Sequence, residues 1–478
     1  MRKVVIFFLV VLLIGINSFS INWNIDRENH ELTNYILFEL NPGITLGNYK
    51  NDFVTKYNWG WGRPTNPGEN VYYIQNELKP LINAVLHAKQ AGLELEVHIP
   101  FQNEYGERLQ KPSQLFSLNV PNLNEVDMNF PYLGYLKYEK DNWIISMGRF
   151  PLKWGWSKYP LTISPTTYQD NITFSAGFSN ITYYFHAIAS SPILSPAERD
   201  IQANFSDQHT PGIYYDESSK YVFAHRIEFD FDSFSFGLGE LNVVGGKHPD
   251  IIDANPVVIF HNTYGEGYSN VLASFDLLYK LNENNRFYGE FSIDDYEAST
   301  EKGSGYKPTA YAYNLGGNLN FEYITLWFEY DYVSEWMYVT NYLSYLRVNV
   351  RQFHLNNGGS GRLLVDYPLG FEYGPDAKMF SAGINGKILD VDYSVVYNYL
   401  VKGTVIDEGE TRWKWFWDTW TNNVAEDAPD PLPRGEDETA NIITIKLDYK
   451  YFSGIYKTIN LSQHFLGLYG KYSFAFGK

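Results

Sequence analysis

The chain predicts an all-β fold, a transmembrane antiparallel β-barrel of about 16–18 strands, eighteen favoured, with long extracellular loops. Three observations predict it. A secretory leader is followed by no further apolar run long enough for a membrane helix. Apolar and polar residues alternate strictly over segments of roughly bilayer-crossing length, ~9–11 residues. Aromatic residues make up 18% of the sequence, and 478 residues contain no cysteine.

The leader comes first. Met1-Arg2-Lys3 is basic, Val4 to Ile16 is apolar, and Asn17-Ser18-Phe19-Ser20 places small residues at the third-last and last positions before Ile21. This is the basic, apolar and small-x-small order of an export signal, so residues 1–20 are expected to be removed and 21–478 to form one barrel domain. With no cysteine after it, a lipid-anchored or disulfide-braced product is excluded. Removal of Arg2 and Lys3 takes the formal net charge from −18 to −20. A surface this acidic argues against nucleic acid as a partner.

Ile21 to Asn70 is hard to place, although "NYILFEL" and "FVTKYNWGW" are candidate strands. Beyond residue 80 the chain reads as paired strands. "LINAVLHAK" turns at Gln90-Ala91-Gly92 into "LELEVHI", where Leu93, Leu95, Val97 and Ile99 oppose Glu94, Glu96 and His98. "PYLGYLKYEK" pairs with "WIISMGRF", "ITFSAGF" with "ITYYFHAIAS", and "YVFAHRIEFDF" with "FSFGLGEL". Further along, "NVLASFDLLYKL" pairs with "RFYGEFSIDDY", "AYNLGGNLNF" with "YITLWFEYDYV", and "MFSAGINGKIL" with "VDYSVVYNYL". Three C-terminal segments, "NIITIKLDYKYF", "IYKTINLSQ" and "FLGLYGKYSFAF", complete the set. Tight turns alternate with long connections at about 102–130, 151–171, 191–220, 242–269, 334–377 and 401–439, the pattern of a periplasmic rim opposite an extracellular one.

The alternation leaves orientation to be decided. In "YITLWFEYDYV", Ile324, Leu326, Phe328, Tyr330 and Tyr332 share one face, and Thr325, Trp327, Glu329 and Asp331 the other. The apolar rows throughout are rich in Tyr and Phe, as a lipid-facing surface with aromatic belts is. The acids are therefore assigned to the lumen and the protein to the outer membrane, in contact with its lipid.

Three stretches together resemble the Wzi family of outer-membrane capsule-assembly barrels: "MGRFPLKWGWSKYPLTIS", "AHRIEFDFDSFSFGLGELNVVGG" with "ANPVVIFHN" and the hairpin that follows it, and "YPLGFEYGPDAKMFSAGI". The resemblance covers roughly residues 130 to 390. It implies a monomeric barrel of about eighteen strands that holds surface polysaccharide as a lectin, without catalysis; no cofactor is expected. The net charge narrows that glycan to a neutral or weakly charged one. One departure is that the N-terminal helical bundle of the family's founding members has no room here. The alternative function is a general or solute-specific porin with an acidic, cation-preferring lumen.

Candidate site residues follow. Arg149, Trp154 and Trp156, just past a strand end, either clasp a sugar or brace an inward loop; Trp413, Trp415, Trp417 and Trp420 either form a stacking platform for glycan or pack into the lumen. Arg226, Glu228, Asp230, Glu290, Asp294, Glu329 and Asp331 form a candidate lumenal charge ladder that neutralises itself. His225 lies on the opposite face with no partner at metal spacing, and Asn255-Pro256 reads as a strand start or a local turn. No catalytic motif is present, so an enzyme is not expected.

Overall fold

The structure, a computed structural model, describes residues 20–23, 33–47, 79–101, 117–120, 133–165, 168–189, 220–245, 251, 254–257, 259–260, 269–297, 299, 308–338, 347–356, 359–407, 409–414 and 432–477. The export signal up to Phe19 and the candidate strand "FVTKYNWGW" lie outside the described residues.

Every pairing in the main sheet is antiparallel, and each long strand pairs with the next in the chain, from Ile82–Gln90 with Leu93–Phe101 through to Phe452–Ile459 with Gln463–Gly470. The ring closes at its ends. The C-terminal strand pairs with the N-terminal one from Tyr35↔Gly477 to Leu40↔Tyr472 and again from Ile44↔Leu468 to Gly47↔Phe465, and the N-terminal strand's other edge pairs with Ile82–Gln90. The sheet has twenty-two segments. Gly43–Gly47 and Tyr472–Gly477 continue the strands before them, and Ser20–Trp23 and Ser117–Leu118 are short rim additions, which leaves eighteen staves. Closure removes the free sheet edges that a curved open sheet would leave unpaired in lipid.

Short turns gather on one rim. Ala91 and Gly92 both take positive φ, 50° and 83°, the conformation of a two-residue hairpin whose twist matches its strands. A Cβ at Gly92 would lie 2.3 Å from the Glu139 carbonyl oxygen, so a side chain there would also strike the neighbouring hairpin. Asp141-Asn142, Ser179-Asn180, Leu389-Asp390 and Lys450-Tyr451 make the same kind of connection. The long connections gather on the other rim. Two of them carry hairpins that the sequence pattern missed: Arg347–Asn356 with Gly359–Pro368, and Thr404–Asp407 with Glu410–Trp413. Two strands also run further into their loops than expected, Tyr168–Phe178 at its start and Phe234–Gly245 at its end.

Burial decides the orientation. Along Ile324–Val333, Phe328 is 40% and Tyr330 38% exposed, while Glu329 and Asp331 are fully buried. Phe275, Leu277, Phe287, Phe291, Phe380 and Leu238 stand on the same outer face, also exposed. An exposed apolar band around a buried acidic interior inverts a water-soluble sheet, and its stable surroundings are lipid. This is an outer-membrane β-barrel.

The lumen contains a hydrophobic core in its loop-side half. Leu152, Trp154, Leu161 and Ile163 from one connection, and Met337, Tyr338, Leu369, Phe371 and Tyr373 from another, pack against inward-facing Val222, Ala224, Leu241, Val243 and Leu272 of the wall. Strand inner faces therefore change along their length, apolar where loops cover them and polar towards the short-turn rim.

The orientation has a direct test. Phe328→Arg places a charge on the lipid face, at a cost of ~2–4 kcal/mol near the bilayer midplane, whereas Thr325→Arg faces the lumen. The first variant is expected to lose most of its heat-modifiable, outer-membrane-assembled form on a denaturing gel, and the second to keep it.

Candidate functional site

The connection between Trp143–Pro151 and Tyr168–Phe178 turns into the barrel, and its backbone donors account for how it stays there. In Lys158-Tyr159-Pro160-Leu161-Thr162, the amides of Lys158 and Tyr159 donate to the two oxygens of Glu329, at 2.7 and 2.8 Å. The amides of Leu161 and Thr162 donate to the two oxygens of Glu290, both at 3.0 Å. Pro160, which has no N–H to satisfy, sits between the two pairs. Side chains complete each carboxylate: Tyr288 Oη donates to Glu329 at 2.7 Å, and Thr162 Oγ1 and Ser157 Oγ donate to Glu290 at 3.0 and 3.2 Å. Two buried carboxyl groups are costly without partners, and these donors offset that cost.

The loop is also closed on itself and capped. Trp154 N donates to the Ile163 carbonyl at 3.0 Å, and Ser164 N to the Leu369 carbonyl at 2.7 Å. Tyr338, whose amide donates to Asp294 at 2.9 Å, gives its hydroxyl proton to the Leu161 carbonyl and accepts from the Phe371 amide at 3.3 Å. Tyr159 reaches across to Asn398, whose Nδ2 donates to its hydroxyl at 3.1 Å. Burial raises the Tyr159 and Tyr338 hydroxyl pKa values well above the ordinary phenol range, so both remain neutral hydrogen-bonding groups. Burial lowers the Lys158 ammonium, with the Glu329 charge acting against it.

Arg226 is the cationic counterpart. Its guanidinium binds Asp276 through both terminal nitrogens, one at 2.8 Å, and reaches Glu228 at 3.3 Å. The rings of Trp154 and Trp156 lie 5.9 and 5.7 Å from its carbon, within cation–π range. Trp154 Nε1 donates to His186 Nε2 at 3.1 Å, and Thr173 bonds the other ring nitrogen at 2.8 Å. The wall makes room through glycine. A Cβ on Gly239 would lie 2.6 Å from the Trp154 ring, and one on Gly237 would lie 2.1 Å from Arg226 Nη2. The repeat "FGLGEL" is thus a seat for an arginine and an indole.

The predicted residues fall into separate groups. Trp154 and Trp156 meet Arg226 inside the lumen. Arg149 faces the other way, paired with Asp170 at 2.8 and 2.9 Å on the outer surface. Trp413 is fully buried, its Nε1 donating to Glu438 at 2.7 Å, and Trp415, Trp417 and Trp420 lie outside the described residues. Arg226, Glu228, Asp230, Glu290, Asp294, Glu329 and Asp331 all share the inner face; Asp230 pairs with Lys280 at 2.8 Å. Asp331 lies opposite Asn314 in the register, with neither oxygen hydrogen-bonded. His225 faces outward, stacked on Phe260 at 4.7 Å and 3.3 Å from Glu240. Asn255-Pro256 is a turn, where Asn255 Oδ1 accepts from Val257 N at 3.1 Å. Sequence reasoning missed the Tyr288, Thr162 and Asn398 contacts, for which "SKYPLT" held the signal: consecutive amides interrupted by one proline.

No family model and no curated protein matches the chain. Among solved structures, it is similar to OccK3 (OpdO) of Pseudomonas aeruginosa, with 8% identity over 92% of this chain and 95% of that one and a TM-score of 0.41. OccAB4 of Acinetobacter baumannii matches at 11% identity over 93% and 98%, with a TM-score of 0.38. The outer membrane protein OpdK of P. aeruginosa matches at 7% over 92% and 98%, with a TM-score of 0.40. The matches are Occ and Opd proteins and not capsule-assembly barrels, so the Wzi resemblance is corrected. The physical reason lies in which stretches carried it. "GRFPLKWGWSKYPLTIS", "FGLGEL" and "YPLGFEYG" are the segments that build and seat the lumenal plug, and their pattern follows from packing a loop against a barrel wall.

The carboxylate anchors make a testable demand. Glu329→Ala leaves the Lys158 and Tyr159 amides and the Tyr288 hydroxyl without their acceptor, at ~1–3 kcal/mol for each buried donor left unsatisfied. A lowered thermal midpoint in detergent and new proteolytic cleavage after Lys158 in the folded barrel are expected, with Glu329→Gln intermediate.

Proposed function

We propose that this protein is a porin, a non-enzymatic outer-membrane channel for small solutes whose passage is set by the loop at 152–164. The observation that carries the reading is that this loop is fastened to one side of the lumen, through Glu290 and Glu329, while the wall away from it keeps partly accessible polar side chains. Glu94, Glu96, Lys137 and Tyr135 line the lumenal face of the strands Leu93–Phe101 and Leu133–Lys140. At the short-turn rim a cavity of about 740 Å³ is bordered by the lumenal residues Thr325, Asn385, Ser394, Lys446 and Asp448, a polar vestibule beneath the constriction. A polar, charge-lined route beside a fixed inward loop is suited to selecting hydrated solutes by size and charge.

The acidic excess gives the selectivity its sign. With a net charge of −18 and all the ladder acids on the lumenal face, permeant cations are favoured over anions. In planar bilayers, discrete conductance steps are expected, with a reversal potential under a KCl gradient of the sign for cation preference. Removing 154–163 is expected to enlarge the steps severalfold. A folded barrel that conducts neither with nor without this loop overturns the reading.

A further inference from the structure

From the hairpin Ile82–Gln90 and Leu93–Phe101 we infer a transition-metal site, unrelated to the loop anchors, on the lumenal wall near the short-turn rim. Its ligands are His87, Glu94, Glu96 and His98, and the ion it fits is a divalent cation of the zinc type.

The two-residue turn at Ala91-Gly92 fixes the register, which sets His87 opposite Glu96 and Val85 opposite His98. Period-two alternation then puts Glu94, Glu96 and His98 on one face with His87. Ligand atoms of His87, Glu94 and Glu96 lie within 4.8 Å of one another. His87 Nε2 is 3.9 Å from Glu94 Oε1, and His98 Nε2 is 2.5 Å from Glu96 Oε1. The four side chains are between 8% and 15% exposed, shielded yet reachable from the lumen. A tetrahedral zinc ion holds its ligand atoms ~3.3 Å apart at the usual bond lengths of ~2.0–2.2 Å, so small side-chain adjustments bring His87, Glu94 and Glu96 into contact, and His98, beside Glu96, is the candidate fourth ligand.

The surrounding groups are arranged as metal sites require. His87 Nδ1 faces the Thr33 carbonyl at 3.0 Å, which holds the proton on that nitrogen and turns the Nε2 lone pair towards the two glutamates. Tyr35 stacks on the same ring at 5.0 Å and fixes its plane. Tyr135 Oη lies 3.1 Å from Glu94 Oε1 and 3.1 Å from Glu96 Oε2. One hydroxyl proton cannot serve both carboxylates at once, so the phenol bridges two acidic groups that a cation also suits. Lys89 approaches Glu94 at 3.4 Å but is 52% exposed and weakly held. A divalent ion between the imidazoles and carboxylates matches their combined donor set. Two nitrogens and two carboxylate oxygens select zinc or a neighbouring first-row ion over magnesium or calcium, which take oxygen ligands.

The test uses the full chain, purified without a polyhistidine tag and folded in detergent, with folding verified by heat-modifiable migration. ZnCl₂ is titrated by calorimetry and against a chromophoric chelator. One saturable Zn²⁺ per chain is expected, not displaced by excess Mg²⁺ or Ca²⁺. His87→Gln and Glu96→Gln are each expected to weaken binding at least tenfold, and Tyr135→Phe by a smaller factor. No saturable binding by the folded wild type overturns the inference, as does binding of unchanged strength in a folded His87→Gln/His98→Gln double variant. Conductance plays no part in this readout, so it stands or falls separately from the channel proposal.

Discussion

Two buried carboxylates, each accepting a pair of consecutive backbone amides, hold the interior of this barrel together. Glu290 and Glu329 sit on the inner faces of two strands that flank Ala310–Asn320, and a five-residue stretch with proline at its centre matches them donor for donor. Side-chain contacts alone would let the loop shift. Backbone amides paired to both oxygens of a carboxylate fix its height and its rotation together. Everything above it depends on that position: Trp154 reaches its glycine seat, Ser164 meets Leu369, and Tyr338 bonds Leu161, only if the loop lies at this depth.

The barrel consequently meets three environments. Its outer face is apolar and aromatic, its rim-side lumen is polar, and its loop-side lumen is a dry core of the kind soluble proteins build. Arg226 stands at the boundary between the last two, with Asp276 and Glu228 on one side and two indoles on the other. An arginine suits that boundary, since its planar, weakly hydrated cation accepts carboxylates in its plane and aromatic rings above it.

Much of the architecture was legible because period-two alternation survives wherever one face meets lipid and the other meets water. The strand Ile324–Val333 showed its two faces in full, and the stave number followed from counting such segments. Legibility failed where both faces are dry. In "YVFAH" and "LNVV", Val222, Ala224, Leu241 and Val243 are apolar and yet point inward, under loops that no local pattern announces. The loop hairpins at 347–368 and 404–413 escaped for the converse reason, each pairing its own two strands outside the wall. Arg149 was grouped with Trp154 by proximity in sequence, but strand parity sends it to the opposite face, and the indoles' true partner, Arg226, lies about seventy residues on. The His87 cluster turned on one residue of turn length, because a slip of one position in the register separates His87 from both glutamates.

The separation between the loop and its anchors orders the events of assembly. Thr162 and Glu290 are 128 residues apart, and Lys158 and Glu329 are 171 apart. These contacts are among the slowest a chain can make, since the intervening segment must first be brought back on itself. The seam that closes the ring joins Tyr35 to Gly477, and with it zipped the inward segment is enclosed by hydrogen-bonded strands. Entry of a tryptophan-bearing loop through such a wall is impossible, and from the open rim it would have to thread past the cap at 369–373. A loop lying in the sheet before that seam forms is held in place by closure of the barrel.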